Sequence, residues 1–184
     1  MSKLFKHLKT VGKHRRAVRR LCFKCGLYWQ GLTHDLSKYS HIEFWPQVKR
    51  WTGTCSPIDI EIKEKGYSAA WLHHKGRNPH HFEYWLDPAH NIPPARMPMK
   101  YLAEMFCDRV AASKTYLGKA YTPDAPRKYL ESRPQEKDLM HPETYRTLCE
   151  LFTFLEEWGE ARTCAYLKIL VHNEKHPNDR RRPA

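Results

Sequence analysis

Apolar side chains recur at intervals of three and four residues along most of this chain, and this spacing constrains the fold more than any other feature. The interval matches one face of an α-helix, and no segment shows the alternation of a β-strand. The clearest stripe is Val18, Leu21, Cys25, Tyr28 and Leu32. The sequence therefore predicts an all-α helical bundle of about six to eight helices.

Capping signals place these helices along the chain. The first is predicted over residues 13–32, with a pause near Gly26 or Gly31. Ser40 and Glu43 have the spacing of a capping box, which predicts a short helix that ends before a proline. Further helix starts are predicted at Ser56-Pro57, Ser68, Pro98 and Pro142, with a break at Gly159.

The cysteines and the hydropathy pattern indicate the compartment. No apolar run is long enough to cross a membrane, and no secretory signal follows the basic N-terminus. The 6 cysteines are therefore expected to be free thiols in a reducing cytoplasm. Cys22 and Cys25 form a lone CxxC pair with no second pair to complete a zinc site, so we expect them to pack in the core.

Two features of the composition indicate function. The chain of 184 residues has a net charge of +12 and contains 12 histidines. The charge suggests a polyanionic partner or substrate, because a strongly basic surface attracts such molecules. Histidine is the residue type used most often for metal binding and for proton transfer near neutral pH.

Histidines and aspartates occupy positions that face inward on several predicted helices. Asp108 lies within an apolar helical stripe, where an unpaired carboxylate is costly to bury. A metal ion would remove that cost, and so would a hydrogen-bond network with neutral histidines. Imidazole and carboxylate ligands without thiolates favour Mn, Fe, Co, Ni or Zn in an open catalytic site. The residues concerned are His14, His34-Asp35, His73-His74, His80-His81 and Asp108.

The order of these residues resembles the HD-domain superfamily of metal-dependent phosphohydrolases. That superfamily has a helical His, a His-Asp pair and a late Asp around a metal, and the resemblance covers residues 14–108. The intervening histidines resemble the binuclear HD-GYP branch, but its Gly-Tyr-Pro signature is missing, so cyclic di-GMP is not expected as the substrate. The segments Ala70-Trp71-Leu72-His73-His74 and Glu104-Met105-Phe106-Cys107-Asp108 are also similar to an uncharacterised HD-type family of bacteria and phages.

The resemblance implies a role for each residue. One metal would be bound by His14, His34, Asp35 and Asp108. Asp35 would bridge to a second metal that is bound by His73 or His74 together with His80 and His81. Lys38 would hold a phosphate oxygen and act with Asp35 in catalysis. Position along the chain suggests two further roles. Arg77 flanks the histidine loop and is expected to bind substrate phosphate, and Glu104, one turn before Asp108, is expected to orient a ligand histidine.

These assignments give an expected organisation and three functional hypotheses. We expect one helical domain over residues 1–172, with its metal-site core at 14–117 and its C-terminal helices at 142–172, and a basic flexible tail over 173–184. The favoured function is hydrolysis of a small phosphate ester, with a nucleotide-like substrate preferred. The alternatives are an HD-type di-iron oxygenase and a non-catalytic protein whose basic residues bind nucleic acid.

Overall fold

Nine α-helices account for most of the chain in a computed structural model, which describes residues 2–53, 56–90, 92–179 and 181. No β-strand occurs among these residues, so the predicted all-α class is confirmed. The helices are α1 Lys3–Lys24, α2 Tyr28–Thr33, α3 His41–Arg50, α4 Pro57–Lys65, α5 Ala69–Lys75, α6 Met99–Leu117, α7 Ala125–Glu131, α8 Gln135–Leu139 and α9 Pro142–Lys175.

The region predicted as one helix over residues 13–32 forms two helices. Helix α1 begins ten positions earlier than predicted, at Lys3, and ends at Lys24. Gly26 has a φ of +74°, a conformation that favours glycine, and it turns the chain into the short helix α2. This turn is the predicted pause.

The predicted polar connector between α6 and α9 contains two short helices, α7 and α8.

Helix α3 begins where the sequence predicts, but the predicted capping box does not form. The Ser40 side chain makes no capping hydrogen bond, and the Glu43 side chain bonds to histidines of α5 instead. The helix also continues past Pro46 to Arg50. A proline inside a helix removes one backbone hydrogen bond, and the packing of α3 against α4 and α5 compensates for this loss.

The remaining helix signals are confirmed. The Ser68 hydroxyl accepts a hydrogen bond from the Trp71 backbone N–H at 3.0 Å and caps α5. Helix α6 follows Pro98, and α9 begins at Pro142. Gly159 breaks α9 into two arms with φ and ψ of 76° and 172°, a region that is essentially restricted to glycine.

The apolar core lies between α6 and its neighbours α1 and α9. Phe106 of α6 is fully buried, and its ring lies 5.6 Å from that of Phe152 on α9, centroid to centroid. Cys22 and Cys25 are both buried in this cluster, and the Cys25 sulfur lies 3.7 Å from that of Cys107. Burial of each large apolar side chain contributes about 1.5–3 kcal/mol to folding, so this cluster fixes α1 and α6 side by side.

The C-terminal segment is only partly described. Residues Asn173–Lys175 belong to α9, although the sequence predicts a flexible tail from residue 173. The Asn173 side chain exchanges hydrogen bonds with the Arg181 backbone. Arg180 and residues 182–184, which belong to the predicted basic tail, lie outside the described residues. In the part of the chain that is described, no helix is long and apolar enough to span a membrane.

Candidate metal centre

Seven side chains from five segments meet where α1 packs against α6. Helix α1 supplies a histidine, the turn after α2 supplies a His-Asp pair, and α5 with the loop that follows it supplies three more histidines. Helix α6 supplies an aspartate. The seven residues are His14, His34, Asp35, His74, His80, His81 and Asp108.

The first ligand group consists of His14, His34, Asp35 and Asp108. Its four ligand atoms all lie within 4.8 Å of one another. The His14 Nε2 atom lies 2.9 Å from Asp108 Oδ1, and the His34 Nε2 atom lies 3.5 Å from that same oxygen. The Oδ2 atom of Asp35 completes the group, 3.4 Å from His34 Nε2. Two imidazoles and two carboxylates are therefore collected around one point.

The second ligand group consists of Asp35, His74, His80 and His81, and its atoms also lie within 4.8 Å of one another. Here Asp35 presents its other oxygen. The Oδ1 atom lies 3.3 Å from His74 Nε2 and 3.4 Å from His80 Nε2. One carboxylate thus faces a separate ligand group with each of its oxygens, which is the arrangement of a bridging ligand.

The backbone at Asp35 is unusual. Its φ of 55° and ψ of 28° are left-handed, and among the described residues it is the one non-glycine residue with positive φ. Aspartate and asparagine adopt this conformation more readily than other side chains that carry a Cβ. The turn joins α2 to a 3₁₀ helix at Leu36–Tyr39, and the Asp35 side chain is only 1% exposed.

Two buried glutamates orient the histidine rings. Glu104 Oε1 accepts hydrogen bonds from His34 Nδ1 at 2.9 Å and from His80 Nδ1 at 3.1 Å. Glu43 Oε2 accepts one from His74 Nδ1 at 2.8 Å. These bonds fix the tautomer that leaves each Nε2 available to a metal, which is the usual arrangement around metal-bound histidines.

The sequence predicts this orienting role for Glu104 but not for Glu43. The Ser40-x-x-Glu43 spacing imitates a capping box and predicts instead that this carboxylate serves the start of α3. The signal that the sequence offers is helical spacing: Glu43 and Gln47 are one turn apart on α3. The structure shows that both side chains are buried. Identifying the partner of Glu43 required the packing of α3 against α5, which no local pattern gives.

Several ligand atoms of the centre lack hydrogen-bond partners. The Nε2 atoms of His34, His80 and His81 and the Oδ1 atom of Asp35 are buried without one. Leaving a buried polar atom unpaired costs about 1–3 kcal/mol. A cation in each ligand group would satisfy these atoms together, so the residues present fit a bound metal.

The site holds ionised carboxylates and, without a metal, protonated histidines. Burial alone would raise the pKa of Asp35, but neighbouring positive groups, His34 first among them, hold it well below its usual range. Asp108 is held low in the same way by its hydrogen-bonded histidines. The histidines of the site differ in their protonation. Burial lowers the pKa values of His34, His74 and His80, but Asp35 and the orienting glutamates raise them above the usual value, so a metal would displace these protons when it binds. Burial lowers the pKa of His81, and His80 lowers it further. His81 is therefore neutral, the form of histidine that binds metal ions.

Lys38 lies beside the bridging carboxylate. Its Nζ atom is 2.7 Å from Asp35 Oδ2. Burial alone would lower the pKa of Lys38, but Asp35 and Asp108 raise it, so the ammonium keeps its charge. Lys38 also lines a cavity of about 210 Å³ together with His14 and Asp108, which we call the lysine cavity. A positive charge therefore faces open space next to the ligand groups.

His73 and Arg77 lie apart from the two ligand groups. His73 Nδ1 donates to Glu43 Oε1 at 2.7 Å, so of the two adjacent histidines only His74 enters the second group. Arg77 and His73 line a different cavity of about 710 Å³, which does not include Lys38. The two basic residues predicted to bind substrate therefore lie in separate cavities.

The chain belongs to a family of unknown function, DUF5662, whose family model matches residues 3–153. The match includes every residue of both ligand groups. No curated protein and no solved structure matches the chain.

Proposed function

We propose that this protein is a metal-dependent phosphohydrolase with a binuclear centre that cleaves a phosphomonoester or phosphodiester. The observation that carries the proposal is the position of Asp35, whose two oxygens face two separate ligand groups. The order of the ligands along the chain, which resembles that of HD-domain phosphohydrolases, supports the same function. A nucleotide-like substrate is favoured, and the free thiols of the described cysteines support a cytoplasmic location.

The ligand types select the class of metal. Imidazole nitrogens and carboxylate oxygens without thiolates suit Mn, Fe, Co, Ni or Zn. Two such ions, when bound, lower the pKa of a coordinated water and polarise the phosphoryl oxygens of a substrate. The first group of two histidines and two aspartates is more anionic than the second, which has three histidines and the shared Asp35.

The chain's own residues supply binding and orientation. Lys38 would bind a non-bridging phosphate oxygen from the lysine cavity and stabilise the negative charge that grows in the transition state. Glu104 and Glu43 would hold the ligand imidazoles in fixed orientations. Arg77 lines the other cavity, which also reaches His34 and His80, so its role in binding substrate phosphate stays a prediction.

Elemental analysis combined with a substrate panel tests the function. The purified protein, reconstituted with Mn, Fe, Co or Zn, is expected to hold two ions per chain and to hydrolyse phosphate esters. Asp35→Asn keeps a residue that tolerates the left-handed turn, but it is expected to lose both ions and roughly 10⁴-fold in turnover. Asp59→Asn, at an exposed position on α4, is the matched control and should change neither the metal content nor the turnover.

Three results would count against the proposal. A wild-type protein that stays metal-free after reconstitution would remove its basis. Full turnover in Asp35→Asn would show that the centre is not the site of reaction. An iron-loaded protein that consumes oxygen and hydrolyses no phosphate ester would favour the oxygenase alternative instead.

A further inference from the structure

A third cavity, larger than the lysine cavity and distinct from the one that Arg77 lines, opens onto the metal centre along α6. It has a volume of about 670 Å³, within the range of roughly 300–1,000 Å³ that is typical of small-molecule sites. Asp108 and His81 form part of its wall, so it reaches both ligand groups. The lysine cavity shares Asp108 and Tyr116 with it, and the two cavities therefore meet at the centre.

Aromatic side chains line this larger space, which we call the aromatic cavity. Trp71 of α5 contacts the His81 ring with centroids 5.0 Å apart. Tyr116 and Tyr129 lie on α6 and α7, and they are 73% and 49% exposed although they line the cavity. The Arg133 guanidinium lies 5.0 Å from the Tyr129 ring centre. Exposed aromatic faces beside a cationic group are suited to stacking against a planar ring.

The wall of the aromatic cavity also contains a hydrogen-bond donor and an acceptor that are unused. Arg109 donates through Nη2 to Glu136 at 2.7 Å, which fixes its guanidinium, but its buried Nη1 atom has no partner. The buried Oε2 atom of Glu83 also has none. Both residues line the cavity. Buried groups of this kind are costly unless a ligand pairs with them, and a ring edge that offers an acceptor and a donor would pair with both.

We propose that the aromatic cavity is the specificity subsite of the enzyme and that it binds the heteroaromatic ring of a nucleotide. The inference rests on the phosphohydrolase function proposed above and deepens it. The phosphate lies at the ligand groups beside Lys38, the ring stacks against the aromatic wall, and Arg109 and Glu83 bind its polar edge. Alkyl and plain phenyl phosphates satisfy only part of this site, because they carry no donor or acceptor on the group that enters the cavity.

Two variants separate stacking from edge recognition. Tyr129→Ala removes a stacking face at an exposed position on α7, so the fold should tolerate it. It is expected to lower kcat/KM for nucleoside monophosphates about tenfold relative to glycerol phosphate, which has no ring. Glu83→Leu removes the acceptor, and it should lower the ratio of kcat/KM values for nucleotide over phenyl phosphate by about tenfold.

The matched control is Tyr84→Ala. Tyr84 follows Glu83 directly and is exposed, but it does not line the aromatic cavity. This variant should leave both ratios and the metal content as in the wild type. Metal content is measured for every variant, because Glu83 is close to His81 in the chain. A calorimetric titration with nucleosides that lack phosphate gives a binding readout independent of turnover, and Tyr129→Ala should weaken that binding about tenfold.

The outcomes distinguish this inference from the function on which it rests. Hydrolysis of glycerol or phenyl phosphate without preference for nucleotides, or an equal loss on all esters in Tyr129→Ala, would overturn the subsite and leave the phosphohydrolase intact. Absence of metal and of all ester hydrolysis would overturn the function. Nucleoside binding that weakens in Tyr129→Ala and is unchanged in Tyr84→Ala would in that case still support the aromatic cavity as a site for a heteroaromatic ring.

Discussion

Helix α6 has one face that packs in the apolar core and another that contributes to the ligand groups. Leu102, Phe106 and Val110, each one turn from the next, are almost completely buried in the apolar cluster with α1 and α9. Glu104 and Asp108, also one turn apart, face the ligand groups. The two faces belong to the same helix. The side chains of the apolar face are fully packed by other parts of the protein, whereas the polar face meets ligand atoms that have no hydrogen-bond partner.

The difference separates stability from function. On the apolar face every side chain finds its partners in the protein, so the contacts form whenever the chain folds. On the polar face the histidine Nε2 atoms and one oxygen of Asp35 are buried without hydrogen bonds. The first face should therefore determine the stability of the metal-free protein, and the second should add stability only when ions are bound.

The largest effect on stability is expected on the apolar face. Leu148→Ala removes a fully buried side chain of α9 from the cluster. It should lower the free energy of unfolding by about 2–5 kcal/mol, because it leaves a cavity. Urea titration measures this loss, and Leu139→Ala, at an exposed position, is the control. The folded variant should still bind two ions, and loss of metal would show that the two faces are not independent.

Removal of metal should have the next largest effect. A ligand that binds only the folded state at about 100 times its Kd stabilises it by about 2.7 kcal/mol. A chelator should therefore lower the melting temperature of the reconstituted wild type and leave that of Asp35→Asn unchanged. An identical shift in both proteins would mean that the stabilising ions are bound elsewhere.

A smaller and more selective effect is expected at Glu43. Glu43→Gln weakens the hydrogen bond that orients His74, and such changes lower metal affinity about 10- to 100-fold. Because Glu43 contacts only the second group, one of the two ions should be lost at limiting metal while the other stays. Stepwise metal titration measures this, with Glu157→Gln at an exposed position of α9 as the control. Equal weakening of both ions would argue against separate ligand groups.

The smallest effect concerns an ion pair beside the apolar core. Burial alone would raise the pKa of Glu160, but hydrogen bonds from Lys114 and Lys24 lower it. A lowered folded-state pKa stabilises the protein above the unfolded pKa, near 4.5, and this contribution is lost as the pH falls through the folded value. Glu160→Gln should therefore cost about 0.5–1 kcal/mol at pH 7.

The pH dependence of this ion pair supplies its own control. The difference in unfolding free energy between Glu160→Gln and the wild type should shrink as the pH falls below the unfolded pKa, near 4.5. Urea titrations over a pH series measure it. A difference that stays constant with pH would show that Glu160 acts through packing rather than charge. Metal content at pH 7 should not change, because Glu160 lies outside both ligand groups.

Local patterns predicted much of the fold. The cap at Ser68, the proline at the start of α9 and the break at Gly159 each act within a few residues, so the sequence alone places them correctly. The full length of α1 and the passage of α3 through Pro46 depend on neighbouring helices. Local propensity therefore underestimated the helices wherever tertiary packing supports them.

The candidate site was predictable only in part. The sequence indicated the seven side chains that meet at the centre, because their types and order carry the chemistry. It did not show that His73 faces Glu43 or that Arg77 and Lys38 line separate cavities. These facts depend on where side chains from distant segments point, and periodicity within one helix cannot specify that.

The left-handed turn at Asp35 gives a simple diagnostic for related chains. Backbone geometry at this position favours glycine, asparagine and aspartate, and of these only aspartate offers two anionic oxygens. A chain with the same fold and asparagine or glycine here would keep the turn and lose the link between the ligand groups. One residue in an alignment would thus distinguish members able to assemble a binuclear centre from members that retain only the scaffold.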